Sequence, residues 1–532
     1  MSDQASGPGG VPETPAPTTE PEVARVEACT DGPTDPVSSW HYPLDLLSAV
    51  TIERVGSGYI CRPEHTFAAA TPAWGLSQND LAAARTLVHA RSGVPRLPGP
   101  TPASPSQEVT EEGIAEAFVN LLRHEVIPKV EGFRVVRLVP PPEARGERPI
   151  TEGRSSAVVV GERVVVTWVR TVDDAAHEAP TTLTHLDAVR HFEVPETHGM
   201  LLWTTPSGRE VPVAWATKYL PRARDGWDWC IDLTQRALGV ETDGGPVRPP
   251  STNSPSTSPV DMWVNDFPAR LGRTAAKLHL ALATPSSVLP EPTATAPADL
   301  IRAWHSAAME RVEAAARIAR EGLLEGVADV LLPRLPAVTA QVDRLAEVAD
   351  QVADGTGPGV SIQRVHGDLH VGQVLRWPGG LVVVDFHPNP VVEVAGLSVG
   401  QAMAPAARDL ARLLRSLDHV GRVVDKGTGF AITPAVDAWS AKARTQLLEA
   451  YRAQLDSAGR PELLDERLIA AFEAEQLCHE IVYAGQYLPS WVYAPLGGLW
   501  QSFEATPTQL ERGALAAPVP GRRGRRAKPA TT

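Results

Sequence analysis

The run QRVHGDLHVGQ at 363–373 is followed by the apolar strand 381–384 and by Asp385-Phe386. His366, Asp368, Gln373 and Asp385 therefore fall on a loop and at the end of a short buried strand, where polar side chains can converge on one cleft. Phosphoryl transfer to a hydroxyl needs such a set. One carboxylate must reach the attacking hydroxyl, orient it and take its proton, and oxygen ligands must hold magnesium against the nucleotide phosphates. Asp368 suits the first task, and Gln373 with Asp385 suits the second. Other readings of the same residues are plainer. Gly-Asp is ordinary turn chemistry, which leaves Asp368 a turn-capping alternative. His366 and His370 have the spacing of a helical zinc pair, but Gly367 puts them on a loop, and a zincin requires Glu at that position.

Two further polar groups lie near this run only if the fold brings them there. Asp409 precedes an apolar helix and either caps it or braces the loop. His279 sits on an amphipathic helix and reads as a packed, hydrogen-bonded histidine. On the late helix around 466–485, Glu473, Gln476, Glu480 and Tyr483 follow i, i+3, i+7, i+10 and share one polar stripe. That stripe is either a solvated face or one wall of the cleft. In the second case Glu480 could pair with a ligand ammonium, and Trp491 offers an apolar plane to a sugar ring.

The elements that must position these groups change character along the chain. Its 532 residues suffice for several globular pieces, and 49 basic against 63 acidic residues leave a net charge of −14. An acidic balance disfavours a general nucleic-acid or anionic-membrane surface. No apolar run approaches the roughly 20 residues that span a bilayer, and no secretory leader opens the chain, so a cytoplasmic protein is expected. Cys29, Cys61, Cys230 and Cys478 are scattered without metal or disulfide spacing and read as reduced packing residues. Residues 1–37 are rich in Pro, Gly, Thr and Glu and are expected to be disordered, as is the surface insertion 242–260. A basic tail at 513–532 carries Arg522, Arg523, Arg525, Arg526 and Lys528 and reads as solvated.

Between these breaks, 38–130 reads as a mixed N-terminal cap with a helix near 114–126. Residues 131–222 read as short strands at 133–138, 157–160, 163–169, 200–203 and 211–219, with one helix at 181–191 and a hairpin turn at Gly161. Residues 223–512 are mainly helical, with apolar residues at helical spacing in Leu271, Ala275, Leu278 and Leu282 and again in Leu410, Leu413, Leu414 and Leu417. A long periodic run over 298–353 is expected to break at Pro333 and Pro336. The expectation is an α+β protein, a small β-rich lobe joined to a large helical one.

The string HGDLHVGQ with its spaced VVDF resembles the catalytic and metal loops of the aminoglycoside-phosphotransferase-like kinases, in which Asn usually stands where this chain has Gln373. The Gln form, together with Gln363, resembles the maltokinase and actinobacterial glucosamine kinase branch. So do YLPRARDGWDWC at 219–230, DLARLLRSLDHV at 409–420 and YAGQYLPSWVYAP at 483–495. The resemblance covers about 130–505. It implies a bilobal protein-kinase-like fold and an ATP- and magnesium-dependent sugar kinase acting on glucosamine, with maltose or an aminoglycoside as other acceptors. It also implies adenine at the 215–220 hinge, including Lys218, Tyr219 and Leu220, with Asp225 just beyond. His366, Asp418, His419, Glu480, Tyr483 and Trp491 would line the acceptor side.

This chain departs from that pattern in two places. Thr167 stands where the superfamily carries its phosphate-gripping lysine, and no lysine occurs from 130 to 217. Arg170 is three residues on and points to the opposite face, which leaves Arg154 with Ser155 and Ser156 as the candidate phosphate cover. His387 replaces a second acid after Asp385, which weakens a second metal site. These two losses motivate the rival expectation, a degenerate kinase that binds nucleotide or sugar as a regulator.

Overall fold

Three strands, β1 (Ser39–Pro43), β2 (Ser48–Val55) and β3 (Gly58–His65), pair as an antiparallel meander near the start of the described chain. The structure is a computed structural model, and it describes residues 39–45, 48–56, 58–65, 113–150, 156–169, 171–172, 179–191, 193–240, 259–386 and 403–503. The two terminal tails expected at 1–37 and 513–532 lie outside these residues, as do Cys29, Arg154, Ser155, Arg170 and His387. Most of the expected insertion at 242–260 is also outside them, although a helix has already begun at Pro259.

Helix α1 (Ile114–Arg123) turns Ile114, Phe118, Val119, Leu121 and Leu122 inward between that meander and a second sheet. The second sheet holds β4 (Phe133–Arg137), β5 (Glu147–Ile150), β6 (Ser156–Val160), β7 (Val164–Trp168), β9 (Thr197–Thr204) and β10 (Glu210–Lys218) in the order β4-β9-β10-β7-β6-β5. Strand β8 (Thr171–Val172) leaves this lobe to pair with β3. Trp40, Tyr59 and Trp203 close the join, with ring centroids 4.8–5.9 Å apart. The cap region and the strand-rich lobe therefore share one hydrophobic core. The β6–β7 turn is made where Gly161 and Glu162 both take positive φ (58° and 53°), as the hairpin geometry requires.

Helix α2 (Ala179–Ala188) lies against β9 and leads toward the helical lobe. That lobe contains α3 (Gly226–Leu238), α4 (Pro259–Leu282), α5 (Ala298–Glu321), α6 (Val327–Ala353), α7 (Ala406–Gly427), α8 (Thr433–Ser457), α9 (Ile469–Gln486) and α10 (Tyr493–Phe503). Two ribbons complete it, β11 (Thr293–Thr295) with β12 (Ser361–Gln363), and β13 (Val374–Trp377) with β14 (Gly380–Val383). The expected break at Pro333 and Pro336 does not occur. Helix α6 runs through both prolines, and the chain breaks instead between Gly322 and Gly326, both at positive φ. Burial of Val330, Leu331, Val338, Val342 and Leu345 outweighs the roughly 3 kcal/mol an interior proline costs.

Helix α7 is the axis of this lobe, and its face at Leu410, Leu413, Leu414 and Leu417 is fully buried. Among the described residues no helix is long and apolar enough to cross a membrane. Helix α3 begins directly after the inter-lobe connection, and a Cβ on Gly226 would meet the Val371 carbonyl oxygen at 1.6 Å. Gly226 is needed for space alone. Gly226→Ala should cost about 3 kcal/mol in urea unfolding by forcing the helix off the 371–373 turn.

Candidate active site

The loop that carries Asp368 is held at both ends by strand pairing. At its start, Gln363 exchanges backbone hydrogen bonds with Ala404 (3.1 and 2.8 Å), and its side-chain amide donates to the His279 carbonyl at 3.1 Å. At its end a 3-10 turn at Val371–Gln373 feeds β13, and the β13–β14 register pairs Val374 with Val383. Val384 N–H then donates to the Gln373 carbonyl at 2.9 Å. This register is what carries Gln373 to Asp385, with Gln373 Nε2 3.5 Å from Asp385 Oδ2. Asp385 sits at φ 63°, a left-handed conformation uncommon for a side-chain-bearing residue.

One helix grips the loop. Asp409, wholly buried in the first turn of α7, accepts from the His366 N–H at 2.7 Å and the Gly367 N–H at 2.9 Å. Its Oδ2 also lies 3.1 Å from His279 Nε2, while His279 Nδ1 is 2.6 Å from the Tyr451 hydroxyl. Burial acts to raise the Asp409 pKa, but the His279 hydrogen bond, the charges of His279 and His366 and the N–H donors together hold it below the usual carboxylate range. One turn on, Arg412 donates to the Gly367 carbonyl and to Asp368 Oδ1, the latter at 3.2 Å. Ser416 Oγ accepts from Val371 N–H at 3.0 Å. Positions i, i+3 and i+7 of one helix thus fix the loop at three successive points. Asp409 braces the loop, one of the two roles open from sequence, and His279 is the packed histidine expected.

The two loop histidines are turned apart. His366 accepts from Asp368 N–H at Nδ1 (3.3 Å), contacts the Val384 carbonyl through Nε2 (2.9 Å) and packs its ring on Phe386 at 4.7 Å. With both nitrogens on main-chain groups, His366 ties the Asp368 loop to the Asp385 strand. His370 Nδ1 accepts from Gly372 N–H at 3.0 Å, and Nε2 lies 3.9 Å from Asp368 Oδ2. Burial lowers the His370 pKa, against the pull of the Asp368 carboxylate. Among the described residues no group of three or more His, Cys, Asp or Glu is arranged to hold a metal ion. A magnesium ion asks for less. It takes one or two protein oxygens and completes its shell with water and phosphate oxygens, and the Gln373 amide and Asp385 carboxylate fit that demand.

The stripe of α9 is half-buried, with His419 of α7 and Arg444 of α8 meeting its carboxylates. Glu480 Oε2 lies 2.9 Å from His419 Nε2, and Gln476 Nε2 donates to Glu480 Oε1 at 3.2 Å. Burial pushes the Glu480 pKa up, but His419 and Arg415 prevail and keep it ionised below the usual range. Asp418 is occupied by Arg415 at 2.6 Å and Arg444 at 3.0 Å, and Arg444 also pairs with Glu473 at 2.7 Å. The structure thus places Asp418 and Glu473 in a buried ion network beside the His419–Glu480 pair. Tyr483 lies beside Tyr487, ring centroids 5.3 Å apart. Trp491 meets Trp227 edge-on at 6.3 Å, and Trp227 faces His370 at 6.1 Å. Trp227 and Arg412 are site neighbours not singled out from sequence. Trp227 stood inside the quoted string 219–230, and Arg412 had a signal in its i+3 spacing from Asp409.

At the connection between lobes, Lys218 is exposed, Leu220 is buried and Tyr219 lies under the Arg148 guanidinium at 6.0 Å. Asp225 caps α3, its Oδ1 accepting from Trp227 N–H at 2.8 Å. Thr167 sits between Trp215 of β10 and Ala157 of β6. Ser156 opens β6, and nothing further of that loop is described.

A small sheet-bearing lobe, a helical lobe and a loop–ribbon unit bearing an aspartate, an amide and a second aspartate define a kinase-like phosphotransferase. No family model matches the chain. A glucosamine kinase of Mycolicibacterium smegmatis is 32% identical over 385 residues, covering 72% of this chain and 86% of the relative, and one of Streptacidiphilus jiangxiensis is 32% identical over 389 residues, covering 72% and 80%. A solved glucosamine kinase in complex with glucosamine, ADP and inorganic phosphate superposes with a TM-score of 0.60 at 28% identity, covering 88% of this chain and 94% of that one. Another, in crystal form A, gives 0.63 at 27% identity, covering 90% and 93%. The chain belongs to the glucosamine kinase family.

The brace at Asp409 carries a pH signature. Its folded pKa lies below the unfolded value, so its contribution is complete above about pH 4 and is lost as the pH falls through the depressed folded value. Asp409→Asn should destabilise the protein by about 3 to 5 kcal/mol at neutral pH, by turning an amide donor toward two N–H groups. Unfolding midpoints measured from pH 7 downward should converge for wild type and variant on the acid side.

Proposed function

We propose that the protein phosphorylates glucosamine at its 6-hydroxyl with ATP as donor and magnesium as the metal. The observation that carries the reading is that one loop and ribbon bears Asp368, held by α7, and brings Gln373 to Asp385, in a chain 32% identical to glucosamine kinases. Asp368 orients the sugar hydroxyl and takes its proton as the oxygen forms a bond to the γ-phosphorus. The bond from that phosphorus to the bridging oxygen breaks, and ADP leaves with the electron pair. Magnesium, when bound, supplies positive charge to the β- and γ-phosphates, and Gln373 and Asp385 are the residues that would hold it.

Burial disfavours a cationic His370 beside Asp368, and His366 holds the Asp385 strand to the loop. Glu480, kept ionised by His419, offers a carboxylate to the substrate ammonium, and Trp491 with Trp227 offers ring faces to the sugar. The hinge about Tyr219 and Leu220 would take adenine. Thr167 leaves the small lobe without its usual lysine, and Arg154, Ser155 and Ser156 are the groups that would cover phosphate in its place.

Purified protein with magnesium, ATP and a panel of amino and neutral sugars tests the reading through ADP release. Glucosamine should be the preferred acceptor, and Asp368→Asn should lower kcat by about 10²- to 10⁴-fold. ADP release equal with and without sugar would refute it. Glu480→Gln should raise the KM for glucosamine about tenfold, leave that for ATP in place, and narrow the preference over glucose.

A further inference from the structure

The described part of the small lobe brings no lysine to the cleft, yet a guanidinium reaches the reacting carboxylate from below. Arg412 projects from α7 onto Gly367 and Asp368, and its side chain is 11% exposed. Its contacts complement those of Asp409. Asp409 takes the Gly367 N–H and Arg412 takes the Gly367 carbonyl, so both polar main-chain groups of the residue before Asp368 are held by one helix. Gly367 itself has φ 87°, a conformation that the clamp on either side preserves.

The acid in the neighbourhood that could divert Arg412 is already engaged. Glu475 is buried, and both of its oxygens are held by Arg408 at 3.0 Å, with Arg311 adding a third contact. His479, on the same helix, is kept neutral: burial and the charges of Arg311 and Arg412 push its pKa down to about 4. Arg412 is therefore directed to Asp368 Oδ1, while Oδ2 lies on the side of His370.

We infer that Arg412 is a positioning residue for phosphoryl transfer, fixing the Asp368 carboxylate so that one oxygen is held by the guanidinium and the other is presented to the acceptor hydroxyl. The inference rests on Asp368 being the proton acceptor of the proposed kinase reaction. A planar fork suits the task because it binds a carbonyl and a carboxylate oxygen together, which an ammonium on a flexible stem does less well. A small error in the angle of Asp368 is costly because the attacking oxygen, its proton and the phosphorus must align.

Steady-state kinetics on the full chain test this, with wild type, Arg412→Ala, Arg412→Lys and Asp368→Asn compared at saturating ATP and varied glucosamine, and the reverse. Arg412→Ala should lose about 100-fold in kcat with both KM values within about threefold of wild type. Arg412→Lys should fall between the two, and added guanidinium ion should restore part of the kcat of Arg412→Ala and none of that of Asp368→Asn. Thermal melting of both Arg412 variants reports whether they fold. Near-wild-type kcat in folded Arg412→Ala would overturn the inference, and so would a loss that guanidinium and lysine both fail to recover. Failure of wild type itself to phosphorylate glucosamine would instead remove the functional reading beneath it.

Discussion

A carboxylate with no exposed surface decides where the Asp368 loop sits. Asp409 is fully buried, and its two oxygens accept from His366 and Gly367 main-chain N–H groups while His279 approaches one of them. An ionised group in that position is tolerated only because its hydrogen-bonding capacity is filled, and a partly filled one would cost several kcal/mol. The consequence is positional. Because the carboxylate belongs to the first turn of a rigid buried helix, the loop that meets it has little freedom, and Asp368 two residues on inherits that restriction. The Tyr451–His279–Asp409 chain extends the same restriction to α8 and α4, so three helices converge on the few loop atoms before Asp368.

Gln373 and Asp385 obey a different constraint. Gln373 and Asp385 meet because a short ribbon returns the chain on itself, and the Val374–Val383 pairing fixes which residues close its base. A shift of one residue in that pairing would move Asp385 away from Gln373 and reverse the faces of β13 and β14. His366, bound to the Val384 carbonyl, resists such a shift from the loop side. The positive φ of Asp385 is then the local cost of turning a carboxylate into the cleft at the end of a strand, and asparagine or aspartate bears that conformation better than most residues.

Much of this was legible in sequence because the groups are local. His366, Asp368, Gln373 and Asp385 lie within one short segment, and the apolar run at 381–384 predicts the strand that ends at Asp385. The split into a strand-rich and a helix-rich lobe followed from periodicity. What escaped had physical reasons. Strand β5 contains Pro149 after the charged pair Glu147-Arg148 and reads as a loop, yet it lies at the sheet edge, where proline is tolerated. Strands β1 to β3 carry prolines and charges, and their burial depends on α1 and on Trp203, more than a hundred residues away. The two prolines of α6 suggested a break that tertiary packing overrode. The polar stripe on α9 had the spacing of a solvated face, and Arg444 of α8 and His419 of α7, brought to it by the fold, make it a half-buried one.

Guanidinium groups of α7 explain the two adjacent glycines of α10. A Cβ on Gly498 would lie 1.9 Å from Arg415 Nη2, and one on Gly497 would lie 2.5 Å from Arg422 Nε. Arg422 in turn reaches the Gly497 carbonyl at 3.3 Å and Asp437 at 2.6 Å. Helix α10 can therefore rest directly on two arginine side chains of α7 only where it has no side chains of its own. The short 3-10 turn before it carries Trp491, and Lys426 at the far end of α7 donates to the Ser490 carbonyl at 3.2 Å and lies 4.0 Å from the Tyr493 ring. The turn bearing Trp491 and the loop bearing Asp368 are thus referred to the same helix, Asp409 and Arg412 at one end and Arg422 and Lys426 at the other. A single rigid element spanning both is sufficient to hold them in fixed register.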